Sequence, residues 1–223
     1  MRSFVYDSSE FRRQLQESPH AQGEVTFLQS ICEPGMTALD VGANKGVTTV
    51  TLAKAVGETG RVWAFEPVPE HFAALQANLS QNDAANAQAF QVALADAPGE
   101  MDFYAHGEGS GIVPAEGAQR LKVAATTIDS FLHDHRIAGV DLISSDCEGS
   151  ELLVLRGAEG ALASYSPQVF CEVHHGYLNA QGKSVRDVVD YLRHLGFEVT
   201  PMSVERLGSD VGFEQCSHIY AAR

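Results

Sequence analysis

The stretch from Thr37 to Pro67 constrains the fold of this chain more than any other. A short apolar run (Ala38, Leu39, Val41) ends in Gly42-Ala43-Asn44-Lys45-Gly46. Val47 to Val56 reads as a helix, and a second apolar run, Val62 to Phe65, is tipped by the acid Glu66 and Pro67. Strand, glycine-rich turn, helix and acid-tipped strand predict the first half of a nucleotide-binding βαβ unit.

The spacing narrows the ligand. Gly42 and Gly46 allow close backbone approach, and the turn feeds a helix N-terminus, whose free N–H groups favour a carboxylate or phosphate. Glu66 follows Gly46 by 20 residues, at the strand end where a carboxylate can accept both hydroxyls of a ribose. The dinucleotide pattern G-x-G-x-x-G fails, because its third position is Asn44 and its sixth is Val47. A ligand with adenosine and a carboxylate but no pyrophosphate fits better, and S-adenosylmethionine is such a ligand. A NAD(P)-dependent oxidoreductase on a similar sheet, or a non-catalytic module that retains the cofactor pocket, are the alternatives.

The chain of 223 residues is long enough for one sizeable core. Its 15 Lys and Arg against 29 Asp and Glu give a net charge of −14, which argues against nucleic acid or an anionic membrane as main partner. Cys32, Cys147, Cys171 and Cys216 show no Cys-x-x-Cys spacing and read as reduced thiols of a cytoplasmic protein. No apolar run approaches membrane-span length. A second copy of the chain, in a homodimer, is compatible with this composition.

The remaining pattern alternates strands with helices. Residues 1–36 read as a helical extension that covers the cofactor as a lid or shields the sheet. A helix is expected from Pro69 through Gln81, with Phe72, Leu75 and Leu79 inward. A third strand is expected over Ala87–Leu94, a short one over Met101–Tyr104, a loop over 105–118, an extended segment over Val123–Thr127 and a helix from Ile128. Val140–Ser144 reads as a buried strand, Glu151–Leu162 as one amphipathic helix and Pro167–Val173 as another strand. A helix capped by Ser184 ends at Gly196, and Phe197–Met202 with His218–Ala222 forms a closing antiparallel pair. This order predicts an α/β protein with a doubly wound, mostly parallel sheet covered on both faces.

Four stretches then carry a resemblance to the FkbM-type S-adenosylmethionine-dependent methyltransferases: Leu39-Asp40-Val41-Gly42-Ala43-Asn44-Lys45-Gly46; Ala64-Phe65-Glu66-Pro67; the run Asp141 to Glu151 with its Asp146-Cys147-Glu148-Gly149-Ser150-Glu151 motif; and Leu155-Arg156-Gly157-Ala158 with Pro167 and Glu172. The resemblance covers about residues 37–175. It implies a Rossmann-like class I methyltransferase fold with a seven-stranded sheet and an antiparallel C-terminal strand. It also implies O-methylation of a hydroxyl on a sugar, polyketide or similar small molecule. Where the family commonly carries a Lys two residues before the motif's Asp, this chain has Ser144.

The site follows from both readings. Asp40, Gly42, Asn44, Gly46, Glu66, Pro67 and Asp146 are the expected cofactor contacts. Methyl transfer from a sulfonium needs alignment and, for a hydroxyl, a base. Asp146, Glu148 and His174 are the catalytic candidates, with Asp146 as first choice of base. Glu172 and His174, two apart on a strand, share a face and are the expected substrate contacts. No metal is expected. If one is needed, Asp146, Glu172 and His174 are its candidate ligands.

Overall fold

The computed structural model describes residues 17–206 and 211–223. Helix α1 (Pro19–Ile31) precedes the sheet, with Pro19 in its first turn and the Ser18 hydroxyl accepting from the Ala21 N–H at 3.2 Å. The βαβ unit follows as β1 (Thr37–Val41), α2 (Val47–Val56), β2 (Arg61–Phe65) and α3 (Pro69–Gln81). Then come β3 (Ala87–Phe90), β4 (Ala93–Leu94), β5 (Gly99–Ala105), β6 (Gln119–Thr126), α4 (Ile128–Asp134) and β7 (Leu142–Ser145). The chain continues through α5 (Glu151–Arg156), α6 (Glu159–Tyr165), β8 (Gln168–Glu172), α7 (His175–Ala180), α8 (Val185–His194), β9 (Glu198–Met202) and β10 (His218–Ala222).

Seven strands form the main sheet in the order β3-β2-β1-β7-β8-β10-β9. All neighbours are parallel except β10, which inserts between β8 and β9 antiparallel to both. The strand order reverses between β1 and β7, so the ligand crevice of an open α/β sheet opens there, beyond the carboxyl ends. Alternation along each strand fills two cores. Leu39, Val41, Phe65 and Ile143 pack on one face with Ile128, Leu155, Leu162 and Val188. Ala38, Val62, Ala64 and Leu142 pack on the other with Leu28, Val50, Leu75 and Leu79.

Two expectations need correction. The third strand is not continuous over Ala87–Leu94: it leaves the main sheet after Phe90, and Ala93–Leu94 pairs with β6. With β5 it forms a second sheet, ordered β4-β6-β5, over its own small core of Val68, Phe103, Val123 and Ala125. This takes up the segments read as isolated extended pieces. The single helix expected over Glu151–Leu162 is broken at Gly157 and Ala158. The Gly157 carbonyl accepts the Asp129 N–H at 2.9 Å, and the Asp129 carboxylate accepts from Gly160 and Ala161 N–H at 2.7 and 2.8 Å. A side chain borrowed from α4 thus caps a new helix start. At Gly157 a Cβ would lie 2.0 Å from the Ala95 carbonyl oxygen, so the break also seats against the second sheet.

Candidate active site

Two adjoining cavities open at the carboxyl ends of the strands and share Gly42, Asn44, Asp146 and Glu148 in their walls. The first is lined further by Phe65, Glu66, Pro67, His71, Phe103 and Ser110. The second is bordered by His20, Glu24, Lys45, Gly46 and Glu172. Asp146, Glu148, Glu66 and Glu172 therefore face space, as do Gly42, Asn44, Gly46 and Pro67.

The turn after β1 is built by close contact with β7. Gly42 has φ 81°, and a Cβ on it would fall 1.8 Å from the Asp146 carbonyl oxygen. Its lack of a side chain brings the two strand exits together, in addition to leaving the cavity wall bare. Asn44 has φ 47°, a left-handed conformation that asparagine tolerates. Its N–H donates to Glu66 Oε2 at 2.9 Å, and Val68 N–H donates to Glu66 Oε1 at 2.8 Å. Asn44 Oδ1 is buried without a hydrogen-bond partner. Glu66 is 4% exposed, and burial raises its pKa to about 7 against the pull of those two amides.

Asp40 sits elsewhere. It is buried within β1, accepts a short hydrogen bond from the Thr49 hydroxyl and borders neither cavity. Its role is to tie β1 to the start of α2. Burial raises its pKa to about 7 despite Thr49.

The β7 and β8 exits gather acids around one imidazole. His174 Nδ1 lies 2.8 Å from Glu151 Oε1, and its Nε2 lies 3.2 Å from Glu148 Oε2, 3.5 Å from Asp146 Oδ1 and 3.7 Å from Glu172 Oε1. Burial works to lower the His174 pKa, but Glu151, Asp146 and Glu148 outweigh it and hold the ring at about 9. Burial raises Glu148 to about 7, with His174 opposing and Glu172 adding to the rise. Asp146 is also shifted upward, first by loss of solvent and then by Glu172, Glu24 and Glu148 against His174. Its side chain is 49% exposed, so solvent offsets much of the burial and the neighbouring carboxylates sustain the rise.

The structure brings Asp146, Glu148, Glu172 and His174 together, but not as two residues on one strand face: β8 ends at Glu172, and His174 stands at the start of α7. His174 itself stands behind the wall and borders neither cavity. Glu151, which reads as an ordinary helix-start acid, is fully buried and accepts from Gly149 N–H and from the His174 N–H and ring. His20, Glu24, His71 and Ser110 were missed; only the small-residue loop over 105–118 gave a signal, for Ser110. His175 binds the Cys216 carbonyl at 2.9 Å and is structural.

Comparison with known proteins decides the family. Residues 40–199 match the model of the methyltransferase FkbM domain. The chain belongs to the FkbM methyltransferase family. The FkbM chain is 29% identical to the 31-O-demethyl-FK506 methyltransferase FkbM of Streptomyces tacrolimicus, over 74% of each chain. It is 27% identical to the hexuronic acid methyltransferase AglP of Haloferax volcanii, over 78% of this chain and 70% of that one. Among solved structures, a methyltransferase FkbM from Methylobacillus flagellatus KT superposes with TM-score 0.60 at 15% identity, over 96% of this chain and 58% of that one. Aeropyrum pernix fibrillarin with bound S-adenosyl-L-methionine gives TM-score 0.51 at 15% identity, covering 92% and 76%. The two structures share the class I fold. The chain is thus an S-adenosylmethionine-dependent methyltransferase. No helix among the described residues is long and apolar enough to cross a membrane.

The residues present fit the cofactor. Glu66 is held by backbone amides yet faces the first cavity, leaving lone pairs for ribose hydroxyls. The unpaired Asn44 Oδ1 supplies a buried acceptor for a cofactor N–H or O–H donor.

Proposed function

We propose that the protein methylates a hydroxyl on a small, sugar-like or polyketide-like molecule, with Asp146 as the base. One observation carries this reading: the Asp146 carboxylate is half exposed at the β7 exit, in the wall common to both cavities. The names of the two curated relatives support the acceptor class. S-adenosylmethionine supplies an electrophilic methyl group and leaves as a neutral thioether, so the protein needs no acid for the leaving group. Gly42, Asn44, Glu66 and Pro67 hold the nucleoside and methionine parts. Asp146 takes the acceptor's proton, and Glu172 in the second cavity orients the acceptor. His174 is a positioning residue: both ring nitrogens are taken up by carboxylates, and it borders neither cavity. Nucleic acid is not the acceptor in this reading.

The test is a transfer assay with methyl-labelled S-adenosylmethionine and a panel of uronic acids, neutral glycosides and hydroxylated macrolides, with an RNA arm. Label that survives alkaline hydrolysis on a sugar or polyketide oxygen supports an ether product. Label on RNA, on nitrogen or as an alkali-labile ester overturns the assignment. On the accepted substrate, Asp146→Asn should lower turnover about 10²–10⁴-fold and leave S-adenosylhomocysteine affinity in place. Turnover within a few-fold of wild type would remove Asp146 as base.

A further inference from the structure

Beyond Asp146 and Glu148, the far wall of the second cavity carries a separate set of donors. His20 and Glu24 are four apart on α1 and project on one side, both bordering the cavity with Glu172. Glu172 ends β8 and is the cross-strand partner of His218, the first residue of β10. Three elements distant in sequence therefore converge on one point. His218 Nε2 lies 3.1 Å from Glu24 Oε1 and 3.9 Å from Glu172 Oε2, and His20 Nε2 lies 3.4 Å from Glu172 Oε1. One ligand atom from each of the four residues lies within 4.8 Å of the others. Four ligands about 2.1 Å from a tetrahedral centre are about 3.4 Å apart, and the three contacts bracket that edge.

We propose that His20, Glu24, Glu172 and His218 form a binding site for a divalent transition-metal cation. Two imidazoles and two carboxylates suit zinc, manganese or iron, and two carboxylates balance the charge of a divalent ion. His218 is prepared for the task. Its side chain is fully buried, its ring stacks on Phe170 at 4.6 Å, and its Nδ1 lies 3.1 Å from the Ser217 hydroxyl, directing Nε2 at the cluster. Such an outer hydrogen bond fixes ring orientation in metal sites. A second group, Asp146, Glu148 and His174, is equally compact but offers one imidazole against two. If the O-methylation reading holds, the cation lies in the wall of the second cavity, which Asp146 also borders. The binding claim does not depend on that reading.

The test uses the chelated and dialysed full chain, titrated with cobalt(II) alone, followed by visible absorption and with zinc(II) by calorimetry. One equivalent should bind with a cobalt–imidazole spectrum. His20→Gln and Glu24→Gln, both on α1, should each weaken binding at least tenfold, with thermal unfolding used to show that each variant is folded. His174→Gln should keep the spectrum. Absence of one-equivalent binding in the folded wild type means that the four residues form only an ion-pair network, and the proposal fails. It fails equally if His174→Gln abolishes binding and His20→Gln does not, because the cation then sits on the other cluster. Neither outcome bears on the identity of the acceptor, which the transfer assay reads.

Discussion

Cofactor affinity should titrate with Glu66. In the free protein its carboxyl is buried and its pKa is raised from 4.5 to about 7. Ribose hydroxyls donate to the ionised form, so binding S-adenosylhomocysteine draws the carboxyl towards ionisation. By linkage, affinity is constant well above pH 7 and falls as pH drops through the raised pKa, by up to about tenfold per pH unit. Between about pH 7.5 and 5.5 the expected loss is roughly 25-fold. Calorimetry with S-adenosylhomocysteine across that range reads it directly. Glu66→Gln is the control: it cannot ionise, and its amide nitrogen cannot accept from Asn44 or Val68 N–H, which both oxygens now do. It should bind at least about 1–2 kcal/mol more weakly at high pH, the margin between charged and neutral hydrogen bonds, and lose the pH slope. A wild-type affinity that is flat across the range, or a glutamine variant with the same slope, would refute the ribose assignment.

Asp40→Asn should stabilise the fold on the alkaline side. The Asp40 pKa is raised from 3.8 to about 7, so its contribution to stability is greatest at acid pH and declines between the two values by roughly 1.4 kcal/mol per unit. Urea unfolding of the variant should lack that share of the decline, and an unchanged pH profile would show that Asp40 is not buried as an acid. Gly157→Ala should cost about 1–3 kcal/mol by overpacking, because its Cβ would meet the Ala95 carbonyl oxygen at 2.0 Å; the midpoint of chemical denaturation measures it.

The βαβ unit was legible because its signals are local. Glycines sit at the turn, apolar runs flank it, and an acid tips the second strand. The second sheet was not, since β4 is only two residues long and pairs with a strand about 30 residues away. The break at Gly157 was hidden because the apolar period continues across it and the capping acid, Asp129, belongs to another helix. In the site, Asp146, Glu148, Glu172 and His174 could be grouped from the sequence, because they stand at the ends of two expected strands, where an open α/β sheet holds its ligand. His20, Glu24 and His218 could not. Their proximity depends on α1 folding over the strand ends and on β10 inserting antiparallel, which sets its first residue beside the last of β8. Glu151 was under-read because a first-turn acid is ordinarily a solvated dipole partner, whereas here it is fully buried and fixes His174.

The position of Ser144 ties these electrostatic features together. In the parallel register of β1 and β7, Ser144 is the direct partner of Asp40, and side chains so paired lie on one face. A lysine at this place, as the family commonly has, would stand beside a buried carboxylate and keep it ionised. With serine there, Asp40 has a hydroxyl partner in Thr49, while burial and then Glu24 and Glu66 raise its pKa. The same deficit of positive charge extends along the strand ends. Asp146, Glu148, Glu151 and Glu172 surround His174, and Glu24 and Glu172 surround His20 and His218. Asp146 and Glu148 are pushed up, whereas His20, His218 and His174 hold Glu172 below the usual carboxylate range against its burial. Ser144 supplies no charge, so the carboxylates are relieved by their own protonation, by imidazolium or by a bound cation. Glu172 contacts histidines in both groups and raises the pKa of Asp146, so a cation at the proposed metal site should be felt at the proposed base.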